Sequence, residues 1–450
     1  MNLTLAEVAK LANGIVSDNS NTNLIIKEVV IDSRNVINNH LFVAIKGDSD
    51  DGHRYLESLF SKFENNIAAL VSDKSLLNKY PNLIYVSDTT HALGILGSNY
   101  RQKFNIPVVG ITGSNGKTTV KEMLKSICIH EFGEDNVLAT VGTLNNHWGM
   151  PLTLLALDTK HKVAIIEMGM NHSGEMDYLS NLAKPSIVTV INVMMAHAGF
   201  FNDLSDIARA KGEIYHGLLN DGIACVNLNV PFYKLWINDI GNKPIFNYGI
   251  PGTDCYLLDS KTDGTTTIVT NRGQIKVKLK VLGQHNQENA VVATALALKV
   301  GCSIESITNG LNNYVGYKGR LELKTAFNGA LIIDDSYNGN PDSVKAGIRA
   351  IENLSKPHWV ILGDLGELGK YSDEAHSKLG EFANQNGIEV LLTYGEHTKH
   401  THNSFKGIKR HFIDKEQLID YCKNNLPSNA TLFVKGSKTA KLYEVIDKLV

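Results

Sequence analysis

The sequence predicts an α/β protein of three domains. They are a small α/β domain over residues 1–88, a central parallel-sheet domain with a phosphate-type loop and an added antiparallel β segment over 89–317, and a Rossmann-like domain over 318–450. Three observations carry this. The chain has 450 residues, and at roughly 150 residues per domain that suggests about three. From Ile106 onward, continuous apolar runs alternate with helical patterns, as in a parallel sheet covered on both faces. The same alternation restarts near residue 320, after a segment of different texture.

Residues 1 to about 85 mix short helices with short strands such as IIKEVVID and HLFVAI, and a helical stretch follows at 89–103. The central series places strands at 106–112, 162–168, 186–193 and 222–228, with helical patterns between most of them, for example at 118–130 and 204–219. Within 245–282 the run IKVKLKV alternates strictly, which marks a half-buried antiparallel strand with its lysines on a solvated face. The helical segment NQENAVVATALALKV comes next. The second series places strands at 330–336, 358–364, 390–394 and 431–435, with helices beginning near Asp342, Asp373 and Lys415 and a last one after Lys438. No GxGxxG follows its first strand, so the pattern lacks a dinucleotide fingerprint.

Composition excludes several classes. The chain carries 44 Lys+Arg against 46 Asp+Glu, without the basic excess of a dedicated nucleic-acid binder. With 43% hydrophobic and 20% charged residues it is an ordinary globular chain and not a disordered acidic one. The five cysteines stand far apart with no CxxC pair, which fits reduced core thiols better than a disulfide framework or a local zinc site. The N-terminus lacks the basic and apolar regions of a signal peptide, and no apolar run approaches the ~20 residues that span a bilayer. A soluble cytoplasmic protein is expected.

The central domain opens with GITGSNGKTT, where a strand runs into a Gly-rich turn and then a helix. Gly113 and Gly116 let backbone N–H groups curl around phosphate oxygens, and the helix N-terminus adds partial positive charge. Lys117 is placed to neutralise β/γ-phosphates, and the Thr118 hydroxyl to ligate Mg²⁺. The loop is a variant: the common G-x-x-x-x-G-K-[ST] pattern needs a glycine at position 111, which is Ile111 here.

Ligands of parallel α/β sheets bind beyond the carboxyl ends of the strands, so the residues that end each strand matter. One strand ends in the phosphate loop, the next in Glu167, and a third is followed shortly by His197. A hard-oxygen carboxylate suits Mg²⁺ better than an imidazole does. Lys211 sits in DIARAKGEIYHGL with Ile207, Ile214, Tyr215 and Leu218 at −4, +3, +4 and +7, on the apolar face of its helix. Either it snorkels outward or it faces the site, where burial near cations would favour a neutral amine. Such an amine can capture CO₂ as a carbamate and become an anionic metal ligand.

These residues resemble the Mur ligases, ATP-dependent amide-forming enzymes of peptidoglycan synthesis. The resemblance covers essentially the whole chain. It is carried by IDSR and LFVAIKGDSDDGH, then TGSNGKTT, LNNHWGMPLTLL, EMGMNHSGEM, NVMMAHAGF, ARAKGEI and GQHNQENAVVA. GR, DDSYNGNPDSV, LGDLGELG and VKGSK follow in the last third. DDSYNGNPDSV followed by LGDLGELG is similar to the branch that adds D-alanyl-D-alanine. The DNPR string typical of the diaminopimelate-adding relative is absent.

The resemblance implies ATP, Mg²⁺ at two sites and a carbamylated Lys211. It also implies two small-molecule substrates, UDP-N-acetylmuramoyl-tripeptide and D-alanyl-D-alanine, in a monomer without nucleic-acid or membrane partners. Residue by residue, it implies that the loop Gly113, Ser114, Asn115, Gly116, Lys117, Thr118 and Thr119 binds the ATP phosphates. Thr118 and Glu167 would hold one metal, and His197 and Lys211 the second. Asn289 would meet the adenine, Arg320 would reach the phosphates, and Asp335, Tyr337 and Asn338 would lie near the nucleoside. Asn145 and Asn146 would face the muramoyl-peptide. Ser33, Arg34, Asp51 and His53 would lie near the UDP end in the first domain, and Lys435 and Ser437 would help place the dipeptide. One departure stands out: relatives often have an Ala-rich stretch before the histidine, where this chain has Met194 and Met195. Other readings of the phosphate loop are a ligase with a different amine or acceptor, a phosphotransferase that stops at a phosphorylated hydroxyl, and a non-catalytic nucleotide switch.

Overall fold

The computed structural model describes residues 1–195 and 198–450. The described residues form four sheets. A five-stranded sheet lies in the first 85 residues, in the order Ile15–Val16, Leu83–Tyr85, Ala68–Val71, His40–Val43, Glu28–Val30, beside a two-stranded ribbon of Leu3–Thr4 with Ile25–Ile26.

The central sheet has nine strands. Its order is Gly273–Lys278, Thr265–Thr270, Cys255–Ser260, Ile245–Tyr248, Ile223–Asn227, Ile187–Val190, Val108–Thr112, Val163–Glu167, Val137–Ala139. The last seven in this order run parallel, and the first two form an antiparallel extension. Alternate residues feed two cores. Val108, Ala164, Ile166, Val188 and Val190 face one side. Val109, Ile111, Val163, Ile165 and Ile187 face the other, against the helices Lys117–Phe132, Gln284–Val300 and Ile304–Asn313. Burial on both faces explains the near-continuous apolar strands. The first of these cores runs on through Leu93 and Leu96 of helix Thr89–Arg101 into Leu41, Val43 and Leu70 of the first sheet.

The third sheet pairs Glu322–Thr325 antiparallel with Leu331–Asp335, then continues in parallel through Thr431–Lys435, His358–Gly363, Val390–Tyr394 and Ile408–Phe412. It too is covered on both faces. No described helix is long and apolar enough to cross a membrane. The five cysteines are free and buried.

Candidate active site

Strand Val108–Thr112 and helix Lys117–Phe132 bracket the expected loop. Gly116 takes φ +80, a left-handed conformation that favours glycine, and a Cβ there would stand 2.6 Å from Asn289 Oδ1. The loop is tied to the next strand connection. Ser114 N donates to Asn192 O, Ser114 Oγ donates to Met194 O at 3.0 Å, and Met194 N donates back to Ser114 Oγ at 2.9 Å. Lys117 Nζ lies against the loop, donating to Gly113 O at 2.7 Å. Burial pushes its ammonium below the ordinary lysine range, against the opposing pull of Glu167.

Sheet register brings the carboxylate alongside. Glu167 pairs with Ile111, and Val190 with Thr112, so three adjacent strands end together. Glu167 is buried. Its Oε2 accepts from Thr118 Oγ1 at 3.0 Å, its Oε1 from Asn145 Nδ2 at 2.8 Å, and its N–H donates to Thr140 Oγ1. Thr118 and Glu167 thus offer hard oxygens within one contact of each other, a donor set suited to Mg²⁺. Thr112 Oγ1 and Arg320 Nε are buried here without a hydrogen-bond partner among the described residues, so the site has polar capacity that its own side chains leave unused.

Two cavities share the loop, and a third opens off the first of them. A cleft of about 620 Å³ is lined by Ser114 to Thr119, Asn145, Asn146, Glu167, Arg320, Tyr337, Asn338 and Ser437. An inner cavity of about 310 Å³ shares Asn115, Gly116, Thr119 and Arg320 with it and adds Asn289, Asp335 and Lys435. A groove of about 420 Å³ leaves toward the first domain past Asn146, His147 and Glu175. The Arg320 guanidinium stacks over Tyr337 with its carbon 4.5 Å from the ring centroid.

Most of the expected residues gather here, with exceptions. Lys211 is 1% exposed in helix Leu204–Gly212, so it does not snorkel. Burial, with Lys117 adding to it, pushes its ammonium well below the lysine range. His197 lies outside the described residues. Lys435 lines the inner cavity with its ammonium turned to the protein, donating to Asp335 Oδ2 at 2.5 Å and Asn338 O at 2.9 Å. The four first-domain residues line none of the three cavities. Ser33 and Arg34 form a turn capped by Asp32, to which Arg34 is clamped. Asp51 caps the turn Gly52–Tyr55, and His53 bridges Asp51 Oδ1 and Ser72 N.

Asn192, Met194, Asn340 and His285 also line these cavities and were not expected there. Asn192 and Met194 follow a strand end, a signal the same reasoning could have used. Asn340 precedes Pro341, which reads as a helix cap and gives no hint of its contact with Asn115.

Comparison with known proteins agrees with this arrangement. Residues 111–297 match the Mur ligase middle domain, and residues 319–438 match the Mur ligase, glutamate ligase domain. The UDP-N-acetylmuramoyl-tripeptide–D-alanyl-D-alanine ligase of Haemophilus influenzae is 35% identical, over 95% of this chain and 94% of that protein. A crystal structure of MurF from Acinetobacter baumannii superposes with a TM-score of 0.92 at 30% identity, covering 100% of this chain and 99% of the other. A MurF ligase from Thermotoga maritima, solved in complex with ADP, shares the fold at a TM-score of 0.83 and 23% identity, covering 94% of this chain and 96% of the other. With both domain matches in order along a phosphate loop, a buried carboxylate and a capping third domain, the chain belongs to the Mur ligase family.

Proposed function

We infer that the chain is an ATP-dependent ligase that joins D-alanyl-D-alanine to UDP-N-acetylmuramoyl-tripeptide, with acyl phosphate as the intermediate. The observation that carries this is the cleft. It sets the phosphate loop, the Thr118–Glu167 pair and Asn145 under residues of the third domain, between two further cavities.

A carboxylate does not acylate an amine at neutral pH, because oxide is a poor leaving group. The tripeptide carboxylate attacks the γ-phosphorus of ATP, the bond to the bridging oxygen breaks, and ADP leaves. The dipeptide amine then attacks the acyl carbon, the C–O bond to phosphate breaks, and inorganic phosphate departs as the amine loses its proton. Positioning and charge do the work. The loop N–H groups and Lys117 hold the phosphates, Arg320 meets them from the third domain, and Asn289 with Asp335 lines the nucleoside cavity. Asn145 orients Glu167, and Asn146 meets the acceptor where the groove enters. Tyr337, Asn338 and Ser437 line the third-domain side, where the amine arrives. The third domain covers the cleft and keeps water from the acyl phosphate.

Mg²⁺ held by Thr118 and Glu167 would offset repulsion between triphosphate and carboxylate. A second ion would be held by His197 and Lys211 as its carbamate. The burial of Lys211 supports a neutral amine competent for CO₂ capture. Intact-protein mass spectrometry with and without bicarbonate tests it, and an unmodified Lys211 in active enzyme would sink it. The reaction belongs in the cytoplasm, where ATP is available, and the enzyme is read as a monomer. Sedimentation tests the latter.

The deciding experiment combines ATP, a UDP-muramoyl-tripeptide and D-alanyl-D-alanine. Phosphate release that needs both co-substrates, with product mass increased by the dipeptide, is expected. Phosphate release indifferent to the dipeptide would overturn the reading.

A further inference from the structure

The phosphate loop and the third domain are joined by one reciprocal pair of amides. Asn340 Nδ2 donates to Asn115 Oδ1 at 2.7 Å, and Asn115 Nδ2 donates to Asn340 Oδ1 at 3.3 Å. Each partner is fixed from behind. Asn115 N donates to Asn192 Oδ1 at 2.9 Å, Asn192 Nδ2 donates to Asn115 O at 3.1 Å, and the Asn115 amide also rests on Met194 Sδ at 3.1 Å. Asn340 caps helix Pro341–Ile351. Its Oδ1 accepts from Ser343 N at 2.9 Å, and its own N–H donates to Ser343 Oγ at 2.9 Å. Neither amide can turn without giving up these contacts. A second touch lies across the same seam, where Gly199 N donates to Glu367 O at 2.9 Å and a Cβ on Gly199 would stand 3.1 Å from Gly369 N.

We propose that Asn115 and Asn340 form a positioning latch that sets the third domain in register with the phosphate loop, and so aligns the incoming amine with the acyl phosphate. The proposal rests on the ligase reading above. Two side chains whose charge does not change with pH suit the task. A carboxylate at either place would repel the triphosphate, and an ammonium would compete for it. A neutral pair exchanges its bonds for water at little net cost, so the latch can open on every turnover. Neither amide exchanges a proton with the reactants, so what the pair contributes is geometry.

The test is a double-variant cycle on kcat/KM for the dipeptide, with Asn115→Ala, Asn340→Ser and both together. Serine keeps the helix cap but is too short to reach Asn115. Each single change is expected to lower kcat/KM roughly five- to tenfold, with the melting temperature near that of the unaltered protein. The double variant should lose no more than the worse single one. Small-angle scattering with an ATP analogue and the acceptor should show a larger radius of gyration for Asn340→Ser. Asn340→Thr, which also caps the helix, carries no charge and is too short to reach Asn115, serves if Asn340→Ser melts early, and should lose a similar amount. Losses that multiply, or unchanged kinetics with unchanged scattering, would overturn the latch. Unaltered protein without dipeptide-dependent phosphate release would instead overturn the ligase reading.

Discussion

The hydroxyl of Thr118 donates to Oε2 of Glu167 at 3.0 Å, joining the first turn of the helix after the phosphate loop to the end of the neighbouring strand. Because the carboxylate is buried and held on its other oxygen by Asn145, its position is set before any substrate arrives. Glu167→Gln keeps the shape and removes the charge. Phosphate release is expected to fall by about 10² or more, and the thermal melt should move little. Activity within a factor of a few of the unaltered enzyme would remove Glu167 from the metal site.

Gly116 combines φ +80 with a Cβ position 2.6 Å from Asn289 Oδ1. Gly116→Ala is expected to cost about 1–2 kcal/mol of stability from the backbone alone. It should also raise the KM for ATP, because Asn289 must move out of the nucleotide cavity. Denaturant unfolding and ATP titration check the two effects separately.

Lys435 and Asp335 form a pair in which Lys435 is 1% and Asp335 7% exposed. Lys435→Met leaves the Asp335 carboxylate without its cation and is expected to destabilise by about 3–5 kcal/mol. Adding Asp335→Leu should recover part of that loss. A single variant as stable as the unaltered protein in chemical denaturation would contradict the pairing.

The Arg34 guanidinium beside Asp32 holds that carboxyl to about 2. A depressed folded value means that this contact stabilises the fold above the ordinary carboxylate range, and the contribution is lost as pH falls through about 2. Both groups are solvated, so the effect on stability is small. Arg34→Gln should raise the Asp32 titration toward the ordinary range by NMR, but not all the way, because the backbone N–H of residue 34 still donates to Asp32 Oδ1. It should also raise the KM for the UDP acceptor if Arg34 meets it, whereas an unchanged KM would leave Arg34 a turn former.

The sequence made the strands of both parallel sheets legible because burial on two faces writes them as unbroken apolar runs. Val163–Glu167 and Thr431–Lys435 are examples, buried throughout. Strand Ile408–Phe412 carries no such run because it lies at the sheet edge, where Ile408 and Arg410 are exposed and only Phe412 is buried. The expected helix 204–219 ends as α-helix at Gly212 and tightens to a 3-10 turn over Glu213–Tyr215. Gly212 packs there against Trp236, where a Cβ would stand 2.4 Å from the indole. In the site, the loop pattern points to Thr118 and strand-end logic to Glu167, and the fold brings the two into contact because chain order and sheet direction fix where strands end. Neither signal shows Asn340 reaching Asn115, or Lys435 turning to Asp335, since both contacts depend on side-chain direction across long sequence separations.

The pairing of Glu167 with Ile111 and of Val190 with Thr112 divides the central domain by its tolerance of insertion. One residue added or lost within Val163–Glu167 would send Glu167 to the opposite face of the sheet, and one within Val108–Thr112 would shift the phosphate loop against it. The hairpin Thr265–Thr270 and Gly273–Lys278, at the far edge of the same sheet, shares no strand boundary with the site. A tag or reporter inserted at its turn is expected to preserve turnover.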